Sequence, residues 1–143
     1  GIDGSRVAHE LHRLFGGSFG VALSHVQVPT FVGEGASLAI ELESPLAAEE
    51  LESLLAKLEG LRIMPTGPGS RGLTAVEPEG VPTTPSGPTL RDSAGRSEVL
   101  VGRLRPDPSL EVDRGWLLWL SADPLGLAAE HALRLASRRL GLP

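Results

Sequence analysis

The chain has 143 residues, 41% of them apolar, a formal charge of −5 and a pI near 5.3. That acidic balance argues against a nucleic-acid surface, which needs clustered Lys and Arg to displace counterions from phosphates. The length suits one domain with one core, residues 1–143. No cysteine is present, so disulfides, thiolate chemistry and cysteine-held metals are excluded, and no metal site is expected. The longest apolar run, Trp116 to Leu120, is far below the roughly 20 residues that span a bilayer. With no basic-then-apolar N-terminus either, the expectation is a soluble, cytoplasmic chain without membrane contact.

Ser5 can cap a first helix with Val7, Leu11, Leu14 and Phe15 on one face, stopped at Gly16 and Gly17. His9, Glu10, His12 and Arg13 lie off that face. The two histidines are three apart rather than four, which suits a solvated helix face and not a metalloprotease motif. Residues 19–28 alternate as a first strand, and 36–43 as a second with Leu38, Ile40 and Leu42 inward. They are expected to pair antiparallel through an irregular turn that carries Pro29, Gly33 and Gly35 and presents Glu34.

A second helix is predicted with Ser44 as cap, Pro45 at its first position, Leu51, Leu54, Leu55 and Leu58 on one face, and Gly60 as stop. A short extended piece from Leu61 to Met64 rejoins the sheet. Residues 65–96, rich in Pro, Gly, Ser and Thr, read as an extended excursion with little core of their own. Its Gly67 to Gly72 string lacks the Gly-Lys-Ser/Thr ending of a phosphate loop and is read as a plain loop.

Val99 to Arg105 and Gly115 to Ala122 are the third and fourth strands. The fourth is apolar on both faces, with Trp116, Leu118 and Leu120 on one and Leu117 and Trp119 on the other, so it is expected to be central or covered from outside this chain. Asp123 caps a last helix that has Pro124 at its first position, an Ala128, Ala129, Ala132, Ala136 stripe, and Arg134, Arg138 and Arg139 towards its C-terminal end, where cations complement the helix dipole. The order of elements gives an α+β domain: a mixed, largely antiparallel sheet covered by helices, with one sheet face available for dimerisation.

Three stretches carry a resemblance. Val-Gln-Val-Pro-Thr-Phe-Val-Gly-Glu-Gly, Val26 to Gly35, resembles the Val-Arg-Val-Pro-Val-Phe-Val-Gly-His-Ser segment of aspartate-semialdehyde dehydrogenases. Pro88 to Gly95 with Val101 to Arg105 is similar to that family's Pro-x-x-x-Asp-x-Ala-Gly and Val-Gly-Arg-Ile-Arg stretches. Trp116 to Ala129 resembles its Leu-Trp-x-Val-Ala-Asp-Asn-Leu strand and terminal helix.

The resemblance runs from the first helix to Ala136 and covers only the C-terminal half of such an enzyme. It implies substrate binding, one acid/base residue and a sheet-mediated homodimer. The NADP-binding half with the catalytic cysteine has no counterpart here, so a missing N-terminal nucleotide-binding domain is implied and no cofactor is expected in this chain.

Several site positions depart from the pattern. Glu34 stands where the family has its acid/base histidine; a carboxyl group shuttles protons near neutral pH only if its pKa is raised by about 2 units or more. Gln27 stands where an arginine grips the substrate carboxylate and cannot replace that charge. Arg6 is the nearest match to a substrate-contacting lysine, and Pro124 replaces an asparagine that approaches the nicotinamide. Together these changes are similar to those of the family's non-catalytic Usg-type relatives. The reading is a dimerisation domain without dehydrogenase activity, with Trp116, Leu118 and Trp119 at the interface. The alternative is the substrate domain of an active NADP-dependent semialdehyde dehydrogenase or acyl-phosphate reductase that uses Glu34 as acid/base.

Overall fold

A computed structural model describes residues 4–17, 19–64 and 87–141. The contacts divide the chain into two compact units, Gly1–Phe31 and Val32–Pro143. In the first, helix α1, Gly4–Phe15, ends at Gly16 and Gly17, whose φ of 82° and 73° no side-chain-bearing residue adopts cheaply. Leu14 and Phe15, expected on a buried face, are 76% and 70% exposed. His12, expected to be solvated, is half-buried, and its Nε2 donates to the Phe19 carbonyl at 2.7 Å. Residues 20–30 form no strand, which corrects the expected first strand and its hairpin. Alternation there supplies the pattern but no described ladder accepts it.

The second unit contains a four-stranded mixed sheet flanked by helices. Its elements are β1 (Glu34–Glu41), α2 (Ala48–Ala56), β2 (Leu61–Ile63), α3 (Leu90–Ser93), β3 (Val99–Pro106), β4 (Gly115–Ala122) and α4 (Pro124–Leu140). The sheet order is β1-β4-β3-β2, with β4 antiparallel to both neighbours and β2 parallel to β3. As its two apolar faces require, β4 is an inner strand. The edge strand β1 starts two residues earlier than expected and pairs with β4 instead of with the first unit's alternating segment. The helix α2 starts at Ala48, with Ala47 rather than Ser44 as its cap.

Trp116, Leu100, Val101 and Leu118 form the core, with 1%, 1%, 1% and 6% of their surfaces exposed. On the other face of β4, Trp119 and Ser121 reach up to residues 88 and 89. Trp119 Nε1 donates to the Pro88 carbonyl at 2.8 Å and Ser121 Oγ to the Thr89 carbonyl at 3.1 Å. A capping box closes this clasp: Asp92 Oδ2 accepts from the Thr89 amide and hydroxyl, both at 2.7 Å, while Thr89 Oγ1 faces the Asp92 amide. Residues 87–96, read as part of a core-free excursion, are therefore fastened to the sheet, with Pro88 and Ser93 buried. The expected loop at Gly67 to Gly72 lies outside the described residues.

Two glycines let the clasp close. A Cβ at Gly35 would collide with the Trp119 ring, and one at Gly102 with the Pro88 ring. Between Gly102 and Arg105 the register shifts, and Arg103 takes a φ of 55°, so a bulge interrupts the strand expected as regular.

At the far end of β4, Asp123 caps α4 as expected. Its Oδ1 accepts from the Leu125 and Gly126 amides at 3.0 and 3.2 Å, and its Oδ2 from the Gly95 amide at 2.9 Å. These bonds, the one from Gly95 first, hold the carboxyl below the ordinary value of 3.8.

Gly102→Ala should destabilise the chain by about 1–3 kcal/mol through overpacking against Pro88, measured by urea denaturation followed by tryptophan fluorescence. An unchanged midpoint would show that the clasp does not seat on Gly102. Because the folded pKa of Asp123 is depressed, its contribution is present above the unfolded value and is lost as pH falls through the folded one. Asp123→Asn should therefore lower the urea midpoint at pH 7, and the gap from the parent should narrow at pH 3. A gap independent of pH would contradict this assignment.

Candidate functional site

Glu34 opens β1 and is paired in register with Ala122, the last residue of β4. Asp123 and Pro124 follow Ala122 directly, so the ladder brings Glu34 and the start of α4 to the same end of the sheet. Behind Glu34, Gly33 turns the chain with a φ of 90° and lies against Leu90 and Ser93 at the clasp. The backbone of this corner is thus fixed from both sides. Its side chain is not: Glu34 is exposed and has no hydrogen bond or ion pair with a described residue.

That environment limits the chemistry. At the neighbouring helix start Pro124 has no N–H, and Asp123 already occupies the amides of Leu125 and Gly126. This corner therefore offers few donors to an anion.

Gln27 and Arg6 belong to the first unit. Gln27 is exposed, with no hydrogen-bond partner among the described residues. Arg6 is committed to Glu10, one helical turn away, with Nε to Oε1 at 3.1 Å; its side chain is 80% exposed. No group of three or more His, Asp or Glu side chains is placed to hold a metal among the described residues. No helix there is long and apolar enough to cross a membrane.

The three residues expected at an interface fare differently. Trp116 and Leu118 are buried within their own unit and present no surface, which corrects that part of the expectation. On the same face Leu120 is half-buried and Ile40 of β1, paired with Trp116, is 36% exposed. Trp119 is half-buried and shares the opposite sheet face with Leu117, also half-buried, and with the exposed Ser37 and Ala39 of β1. Sequence reasoning missed the clasp, although the Thr-x-x-Asp spacing from Thr89 to Asp92 is a helix-start signal.

No family model matches the chain. It is 30% identical to the aspartate-semialdehyde dehydrogenase of Rickettsia bellii over 121 residues, which is 85% of this chain and 31% of that protein. It is also 31% identical to aspartate-semialdehyde dehydrogenase 2 of Vibrio cholerae over 112 residues, 78% of this chain and 28% of the relative. Aspartate semialdehyde dehydrogenase II of Vibrio cholerae, solved in complex with ASA, superposes with a TM-score of 0.72 at 28% identity, covering 94% of this chain and 35% of that one. The chain thus spans about a third of the length of the relatives it matches, and over that third it is similar in sequence and fold to aspartate-semialdehyde dehydrogenases.

Proposed function

We propose that this chain is the C-terminal, dimer-forming portion of an aspartate-semialdehyde-dehydrogenase-like protein that does not itself carry out the dehydrogenase reaction. The observation that carries the reading is Glu34. It occupies the position that the resemblance assigns to the acid/base histidine, on a backbone corner held in place, yet its carboxylate is exposed and has no partner among the described residues. The framework is kept and the proton-transfer group is replaced. Gln27 adds to this, because a neutral amide cannot form the two-pronged ion pair that an arginine makes with a substrate carboxylate. The lack of cysteine leaves the chain without a thiol to form a thioester.

The remaining two thirds of such a protein would supply an NADP-binding domain, and the exposed apolar residues of α4 support its existence. Leu125, Leu133, Leu135 and Leu140 are 79%, 65%, 66% and 71% exposed on that helix. For dimerisation, the surface that supports the reading is the sheet face bearing Leu117, Trp119, Ser37 and Ala39.

The test is phosphate-dependent reduction of NADP with aspartate semialdehyde, using the natural full-length polypeptide beside an active dehydrogenase. Turnover should be at least about 100-fold below the active enzyme, the loss expected when a general acid/base is removed, and Glu34→Gln should leave the residual rate unchanged. Full turnover that falls about 100-fold on Glu34→Gln would overturn the reading and establish Glu34 as the proton shuttle.

A further inference from the structure

A depression of about 470 Å³, about half open to solvent, lies on the face of the sheet that carries Leu120, remote from the Trp119 clasp on the opposite face. That volume is within the range of small-molecule sites, about 300–1,000 Å³. Leu58, Leu61, Val99, Leu120 and Leu127 give it an apolar lining from five separate parts of the unit. The helix α4 turns an unusual side towards it: Glu130, His131 and Arg134 line the depression, while Leu125, Leu133 and Leu140 remain exposed. Glu59, before β2, and Ser97, before β3, add polar groups from outside that helix.

The arrangement of these polar groups selects the ligand. Arg134 donates from Nε to Glu130 Oε1 at 2.8 Å and from Nη1 to Glu59 Oε1 at 2.6 Å. The two carboxylates raise its pKa above the ordinary value, led by the hydrogen bond to Glu130. The guanidinium is therefore already balanced, and an anionic ligand would have to compete with both carboxylates for it. Two carboxylates against one guanidinium leave one excess negative charge, and each carboxylate keeps an oxygen that makes no bond to Arg134. Glu59 is 77% and Glu130 34% exposed, so an incoming ammonium would replace only water at those oxygens, while its hydrocarbon body would cover the leucines.

We infer that this depression is a binding site for small aliphatic amines in their ammonium form, with the charged end at Glu59 and Glu130 and the body on Leu58, Leu61, Leu120 and Leu127. The inference is independent of whether the protein is a dehydrogenase, since neither Glu34 nor Gln27 takes part.

The probe is n-hexylammonium, titrated at pH 8 into the isotopically labelled 143-residue chain and followed by amide shifts, with hexanol and hexanoate as comparisons. Saturable shifts are expected at Gly60, Leu120, Leu127 and His131 with a Kd of about 1 mM, the range for so few ligand atoms. Hexanoate should bind about tenfold more weakly or not at all. Glu130→Gln, at a part-exposed position, should weaken hexylammonium by about threefold to tenfold, as expected for a partly screened charge, and leave hexanol unchanged. Leu127→Trp should fill the space and abolish binding of all three. Hexanoate binding as tightly as hexylammonium, indifference to Glu130→Gln, or shifts that do not saturate would each overturn the proposal.

Discussion

The second unit depends on one hydrogen bond that joins an inner strand to a loop. Trp119 Nε1 donates to the Pro88 carbonyl, and that bond fixes the indole over Gly35 on one side while the Pro88 ring sits over Gly102 on the other. A buried carbonyl and a part-buried indole N–H would each be costly if left unpaired. Pairing them covers the Trp119 and Ser121 end of that face of β4 without a long helix, while Leu117 on the same face stays half-buried and Ser37 and Ala39 beside it exposed. Ser121 and the Thr89–Asp92 capping box repeat the principle on the next two residues, so α3, though only four residues long, is held from three directions. The corner at Gly33 and Glu34 inherits its position from this clasp.

Function follows from what that fixed corner presents. A rigid backbone would serve an acid/base residue well, because proton transfer requires accurate placement. Here it presents an exposed carboxylate and a helix start with one proline and an already occupied cap. Likeness to the dehydrogenases extends through the fold, with a TM-score of 0.72 to the Vibrio cholerae enzyme; the loss of its chemistry is the proposal, and it rests on Glu34 and Gln27. Fold similarity alone does not assign a reaction, so the residues at the corner carry the functional argument.

The sequence revealed most where local chemistry decides. Asp123-Pro124 marked the start of α4, and the doubly apolar run from Trp116 to Leu120 an inner strand. It misled where pairing is decided at long range. Residues 20–30 alternate like a strand but form no ladder, and β1 instead pairs with a strand some 80 residues away, as the register of Glu34 with Ala122 shows. The same limit explains Trp116 and Leu118. Periodicity showed that both faces of β4 are apolar, but which face the chain would bury depended on contacts invisible to it. At Ser44-Pro45 a strong start signal was outweighed, because Leu46 bonds to the Asp113 carbonyl and keeps that stretch extended up to Ala47.

The central claim is that this portion of the protein is built to dimerise, and its mass in solution tests that most directly. A stable pair would need a buried area of about 1,200–2,000 Å², for which the Leu117, Trp119, Ser37 and Ala39 face supplies the centre. Sedimentation velocity of the 143-residue chain should show a dimer at about 10 µM, as an interface with a Kd near 1 µM or below requires. A single monomeric species that persists to about 100 µM would place any Kd well above that range and contradict the claim.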